Sequence, residues 1–238
     1  MGQRRVNWYE PLEELTRTTG KGATSTLCSF LTLSMCALSA GRYEALYLEE
    51  VKQWNDAQHL LMTETLANLI GAMETAPYTD LLGEVYTEWS WNKDKQRTGE
   101  YYTPQHICDL MAQITMGAPP KERPITMCKP ACGSGRMILA GAKCLSQQGV
   151  NPNEMWVQAT DLSKYACYMT FINTTFWGIP AQVIHGNSLS LETFATFENT
   201  FWYPLAQDKL EPDNKTLKQP SIKLGGESVQ VSLFEDAA

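Results

Sequence analysis

Gly99-Glu100-Tyr101-Tyr102-Thr103-Pro104 and, further on, Lys129-Pro130-Ala131-Cys132-Gly133-Ser134-Gly135 decide how this chain folds. Between the two, Ile107, Leu110, Met111 and Ile114 recur at three- and four-residue steps, which predicts a helix over His106 to Thr115. Pro124 to Met127 is a short apolar run with the length of a buried strand, and Arg136 to Leu145 reads as a helix. Strand, glycine turn, helix is a geometry that brings backbone N–H groups and a helix N-terminus up to a ligand without side chains in the way. The ligand this implies is small, polar and nucleoside-like.

The spacing is not that of a phosphate-binding loop: there is no G-x-x-x-x-G-K-[ST], and no third glycine completes G-x-G-x-x-G. A tight turn alone would explain Gly133-Ser134-Gly135. The pair of motifs is more specific. It resembles the N6-adenine DNA methyltransferases of the modification-subunit type, whose G-x-[FY]-[FY]-T-P and D-P-A-C-G-S-G motifs hold S-adenosylmethionine (AdoMet). The resemblance runs over residues 80 to 190, with both motifs in the family's order and separation. It implies an α/β fold, a Rossmann-like class I AdoMet-dependent methyltransferase sheet shortened toward the C-terminus, with an all-helical N-terminal region. It also implies that Tyr101, Thr103, Pro130, Ala131, Cys132, Gly133 and Gly135 bind AdoMet.

The chain is long enough for one sizeable core plus an appended helical region. Met1 to Trp8 lacks an apolar core, so no signal peptide is expected. Ala23 to Ala40 is the most apolar stretch, but its Ser and Thr residues fit a buried helix better than a membrane span. The cysteine count of seven is odd and without C-x-x-C pairs, so the expectation is a reduced, cytoplasmic protein. Cys128 and Cys132 have no suitably placed His or second Cys pair for zinc, and no metal is expected. Net charge is −7, which argues against a protein coated in basic patches for duplex DNA. From Lys93 to Lys143, however, eight Lys or Arg stand against four Asp or Glu. This local excess suits an approaching phosphate backbone, and suits a solvated face almost as well.

Tyr43 to Glu74 reads as one helix, and Leu81 to Trp89 as another beyond the Pro77-Tyr78-Thr79-Asp80 break. Leu82-Gly83-Glu84-Val85-Tyr86 is similar to the Leu-Gly-x-x-Tyr pattern that precedes the first motif in the family. The expected organisation is a helical N-terminal region over 1–97, an AdoMet-binding domain over 98–206 and a tail over 207–238.

Downstream, Met155 to Thr160 reads as a strand ending at Asp161. An acid at the end of a second strand can accept both ribose hydroxyls. The resemblance implies that role, since the family's Glu stands twelve residues before an Asn, as Asp161 stands before Asn173. Capping of the helix Leu162 to Phe176 is compatible with the same position. Ala181 to Ile184 forms a further strand, and Gly186-Asn187-Ser188-Leu189 matches the family's G-[DN]-[ST]-L, which implies that Asn187 bonds the cofactor's adenine.

Three departures bear on catalysis. The family's [ND]-P-P-[FYW], which holds and stacks on the flipped base, is not spelled out. Its nearest counterpart is Asn199-Thr200-Phe201-Trp202, which implies Asn199 as acceptor for the target amino group and Phe201 or Trp202 as base stack. The alternative is an ordinary aromatic core segment and a dead site. Lys129 replaces the family's usual Asp; it would repel the cofactor's ammonium or else turn outward toward DNA phosphate, while the resemblance implies that Thr103 binds the cofactor's carboxylate. Only 36 residues follow Trp202, which predicts a reduced sheet and little sequence discrimination. Single-stranded DNA then becomes the expected partner, because its bases need no extraction from a paired stack.

Gln230-Val231-Ser232-Leu233-Phe234, after a polar tether, resembles the bacterial sliding-clamp-binding pentapeptide. A final edge strand fits the same residues. Two functions follow: an adenine-N6 DNA methyltransferase of low specificity, or a non-catalytic binding protein that keeps the methyltransferase shell and acts against restriction or at the clamp.

Overall fold

The computed structural model describes residues 7–90, 102–119 and 124–202, and the backbone of 221–224 and 227–230. Five helices come first: α1 (Glu10–Thr19), α2 (Ala23–Ala37), α3 (Glu44–Val51), α4 (Asp56–Thr75) and α5 (Leu81–Ser90). Then follow α6 (Gln105–Met116), β1 (Ile125–Lys129), α7 (Arg136–Gln147), β2 (Met155–Asp161), α8 (Lys164–Phe176), β3 (Ala181–Asn187) and β4 (Glu192–Glu198). β1, β2 and β3 are parallel neighbours, and β4 closes the β3 edge antiparallel. β5 (Ser221–Leu224) and β6 (Glu227–Gln230) form a separate antiparallel pair. This is the expected Rossmann-like sheet in shortened form.

The single helix expected over Tyr43 to Glu74 is two. Between them Asn55 caps α4: its Oδ1 accepts from Gln58 N (3.0 Å), and Gln58 Oε1 accepts from Asn55 N (3.0 Å). This reciprocal pair satisfies donors that a continuous helix would not leave open, so the chain restarts there. α2 is buried nearly all round. Its hydroxyls are accommodated by bonding carbonyls one turn back, as Thr32 does to Cys28 (2.8 Å).

α6 forms where its periodicity predicts, but Ile107, Leu110, Met111 and Ile114 are all exposed, Ile114 at 73%. Cys108 and Ala112 are buried instead, against Ala140 and Cys144 of α7. Small residues let the two helices approach closely, so the larger apolar stripe ends on the outside.

The helical region and the sheet share one core. Leu27, Phe30 and Met35 of α2 join Tyr168, Phe171 and Ile172 of α8 and Val157 and Val183 of the sheet. Tyr43 and Tyr168 both meet Phe197 edge-on, at 5.4 and 5.3 Å between ring centres. Burial pushes the Tyr43 hydroxyl up to about 12 and that of Tyr168 further. Arg42 donates to the carbonyl of Glu198 (2.7 Å), fastening the helical region to the β4 edge. No helix among the described residues is long and apolar enough to cross a membrane.

Candidate cofactor site

The carboxyl ends of parallel strands are where a sheet of this kind leaves a crevice. Here β1 ends at Lys129, and the chain turns through Pro130 to Gly135 into α7. Gly133 (φ 56°) and Gly135 (φ 86°) both adopt left-handed backbone, which side-chain-bearing residues rarely take. A Cβ on Gly133 would stand 3.1 Å from the Tyr102 ring, and one on Gly135 3.1 Å from Thr170 Oγ1 on α8. One glycine therefore keeps backbone open toward Tyr102, and the other lets α7 pack on α8.

The turn is anchored on both sides. Cys132 N donates to Thr160 O (2.9 Å), and Thr170 Oγ1 donates to Gly133 O (2.9 Å). Asp161 Oδ2 accepts from Gly133 N (2.8 Å), while Oδ1 accepts from Ser163 N (2.9 Å). The cap of α8 is Ser163, whose hydroxyl accepts from Ala166 N (3.4 Å). Asp161 is thus not the helix cap but the link between the glycine turn and the end of β2. Each of its oxygens keeps a second lone pair for an incoming hydroxyl.

A cavity of about 510 Å³ opens here, within the usual size for a cofactor. Its walls include Tyr102, Thr103, Lys129, Gly133, Arg136 and Asp161. Ala131, Cys132 and the largely exposed Leu162 also line it. Of the residues singled out in the sequence, the structure brings Thr103, Ala131, Cys132, Gly133 and Asp161 to this one cavity. Gly135 lies behind it, in the packing against α8. Pro130 sits in the same turn without lining the cavity. Tyr101 lies outside the described residues. Asn187 ends β3 on the same side of the sheet but does not line the cavity; its Oδ1 accepts from Leu189 N (2.9 Å) and Ser190 N (3.3 Å), closing a turn. The donor set suits a nucleoside: paired acceptors for a diol, open backbone at a glycine, and apolar walls.

The expected catalytic group is not there. Asn199 is completely buried at the opposite end of the sheet. Its Nδ2 donates to Ile179 O (2.7 Å), and its Oδ1 accepts from Ala181 N and Trp202 N (both 3.1 Å). Ala181 begins β3, whose seven residues carry the chain about 20 Å to the cavity side. Trp202 meets Trp156 near the start of β2, at 6.0 Å, and Phe201 lies beside Gly178. Asn199, Phe201 and Trp202, expected at the flipped base, are thus not brought to the cavity beside Gly133 and Asp161. The antiparallel return of β4 carries them to the wrong end, where Asn199 ties the start of β3 to the chain leaving β4.

One group at the site escaped the sequence reading. Asp80, completely buried, is a hub for five donors. Oδ1 accepts from Gly83 N (2.9 Å) and Asn173 Nδ2 (3.1 Å). Oδ2 accepts from Ser134 Oγ (2.5 Å), Arg136 Nε (3.0 Å) and Arg136 Nη2 (2.9 Å). Arg136 Nη1 also donates to Thr103 O (2.8 Å), tying the first motif to the second. The local signal was an Asp immediately before a helix with glycine three residues on, an N-cap pattern. Its long-range partners are set by the packing of α5 against the turn. Cys108 and Cys167 line or underlie the site as buried thiols: burial raises Cys108, and the neighbouring Cys132 together with burial raises Cys167 strongly. Neither is a thiolate nucleophile. No group of three or more His, Cys, Asp or Glu among the described residues could hold a metal ion.

Residues 78–207, more than half of the chain, match the family model described as N-6 DNA Methylase. The methylase subunit of the type I restriction enzyme MjaIX from Methanocaldococcus jannaschii is 22% identical over 166 residues. That match takes in 64% of this chain but only 27% of the relative, so the chain spans about a quarter of its length. Among solved structures, a protein from Listeria monocytogenes described as a class I S-adenosylmethionine-dependent methyltransferase superposes with a TM-score of 0.49 at 9% identity. That superposition covers 76% of this chain and 53% of the other. The type I restriction-modification methyltransferase subunit of Streptococcus thermophilus gives 0.39 at 18% identity, covering 74% and 38%. The family match spans both motifs, the glycine turn and Asp161, and the chain belongs to the N-6 DNA methylase family.

Proposed function

We propose that this chain binds AdoMet in the cavity beside Gly133 and serves methyl transfer to the exocyclic N6 of adenine in DNA. The observation that carries the reading is Asp161 held against Gly133 N at 2.8 Å, with its remaining lone pairs beside the cavity. Gly133, lacking a Cβ, lets the nucleoside approach the backbone. Asp161 accepts the ribose hydroxyls, and Leu162 and Ala131 supply apolar surface for the base. Asn187, at the end of β3 on the same side of the sheet, would bond the adenine through Nδ2, its Oδ1 being engaged in the turn. Thr103 lines the same cavity, its carbonyl accepting from Arg136. The cofactor would contribute an electrophilic methyl group; the chain's own residues orient it and exclude water.

The acceptor for the target amino group is a residue other than Asn199. Low sequence specificity, single-stranded DNA as substrate, action in the cytoplasm and delivery by a sliding clamp through Gln230-Phe234 belong to the same proposal. The excess of basic residues between Lys93 and Lys143 supports contact with a phosphate backbone. Of the pentapeptide, Gln230 ends β6, and Val231 to Phe234 lie outside the described residues.

The placement of Asn199 favours a second reading, in which the chain binds AdoMet without transferring the methyl group itself. One experiment separates the two. Purified protein is incubated with methyl-labelled AdoMet and single- or double-stranded oligonucleotides of equal sequence, and the nucleosides are analysed by mass spectrometry. N6-methyladenine, formed faster on the single strand, is the expected result. Retained AdoMet binding without methylated nucleoside establishes the second reading. Equal turnover on both substrates removes the single-strand preference.

A further inference from the structure

Two cations line the cavity, Lys129 at the end of β1 and Arg136 at the start of α7. Among its lining residues Asp161 is the only acid, and both of its oxygens already accept backbone N–H bonds from the turn and from Ser163. Arg136 is paired with Asp80, which does not line the cavity, through Nε and Nη2, and its Nη1 donates to the carbonyl of Thr103, which does. Lys129 has no hydrogen-bond or ion-pair partner among the described residues. The twelve-residue helix α7 also begins at this wall, and its first N–H groups have no acceptors within the helix. An ammonium without a partner among the described residues, a guanidinium and a helix start line one cavity, and among the described lining residues only Asp161 carries a negative charge, with both oxygens engaged by the backbone.

We infer that the part of the cavity lined by Lys129 and Arg136 is a carboxylate site. It selects the methionine moiety of the donor through its α-carboxylate and makes no use of its α-ammonium. This rests on the AdoMet reading and adds a specificity that the reading does not contain. The physical reason is Coulombic: a carboxylate beside Lys129 completes an ion pair that has no acceptor among the described residues, whereas an ammonium there meets a like charge.

The test is calorimetric binding of four thioethers to the full chain. They are S-adenosylhomocysteine, its deaminated analogue that keeps the carboxylate, its decarboxylated analogue that keeps the ammonium, and methylthioadenosine, which carries neither. The deaminated analogue is expected to bind within about threefold of S-adenosylhomocysteine, and the decarboxylated one about 30-fold more weakly, the scale of one charge-assisted contact. Lys129→Asp is expected to invert that order, and Lys129→Met to shrink the difference without inversion, since Arg136 remains. Tighter binding of the decarboxylated than of the deaminated analogue by wild type overturns the carboxylate site and leaves the AdoMet reading intact. Failure of all four to bind overturns the AdoMet reading itself. Variants that stay folded by circular dichroism and keep the wild-type order overturn the role of Lys129.

Discussion

Asp80 at the head of α5 and Arg136 at the head of α7 are joined by an ion pair of 2.9 Å, with the Asp80 carboxylate wholly buried and Arg136 only 11% exposed. Fifty-six residues apart in sequence, they bind the helical region to the glycine turn. Removing one partner strands a buried charge, so Asp80→Ala is expected to cost about 3–5 kcal/mol of stability. Urea unfolding followed by circular dichroism measures this. A loss below about 1 kcal/mol would show that the pair is not a structural tie.

Gly83 lies one turn into α5, against the same network. A Cβ there would collide with the Asp80 carboxylate and the Ser134 side chain. Gly83→Ala, normally favourable in a helix, is therefore expected to destabilise by about 1–3 kcal/mol. Gly71, on α4, has open space around its Cβ position, so Gly71→Ala serves as the control and is expected to stabilise slightly.

Asn199→Ala separates a structural from a catalytic asparagine. With three buried hydrogen bonds lost, a destabilisation of about 2–4 kcal/mol is expected. Affinity for S-adenosylhomocysteine below the new melting temperature should be unchanged. A variant of unaltered stability that has lost methyl transfer would return Asn199 to the active site.

Asp161→Ala removes the acceptor of Gly133 N and the groups offered to a ribose. Binding of S-adenosylhomocysteine is expected to fall by about 100-fold, the equivalent of one or two charge-assisted bonds. Asp161→Asn keeps one acceptor and should lose less. Equal, undiminished affinity in both variants would place the nucleoside elsewhere.

Burial lowers the pKa of His185, against a weaker opposing effect from its bond to Leu162 O (3.1 Å). The unfolded chain then binds more protons than the folded one between that lowered value and about 6.5, so stability rises with pH across this window and is lost as pH falls. His185→Gln should flatten the pH dependence of the unfolding midpoint there. A steeper dependence in the variant would contradict the assignment.

Local chemistry accounts for much of the cofactor half. Two glycines flanking Ser134, a strand before them and a helix after them could be read directly, because turn geometry depends on residues a few positions apart. Asp161 stood out for the same reason, at the end of a strand of recognisable length. Periodicity found α6 but not its orientation: Cys108 and Ala112 face inward because α7 offers small residues opposite them, which no property of α6 alone reveals. The Asn55 cap between α3 and α4 outweighed a continuous apolar repeat.

What the sequence determined by itself is the strand–turn–helix that presents backbone at Gly133, since backbone conformation there is dictated by residues in immediate succession. Which end of the sheet each segment reaches was decided only by the tertiary structure. The antiparallel return of β4 sends Asn199 away from the cavity, and the docking of α5 brings Asp80 to Arg136. Strand direction and helix docking depend on burying apolar faces far apart in the chain, and that free energy is invisible in any short motif.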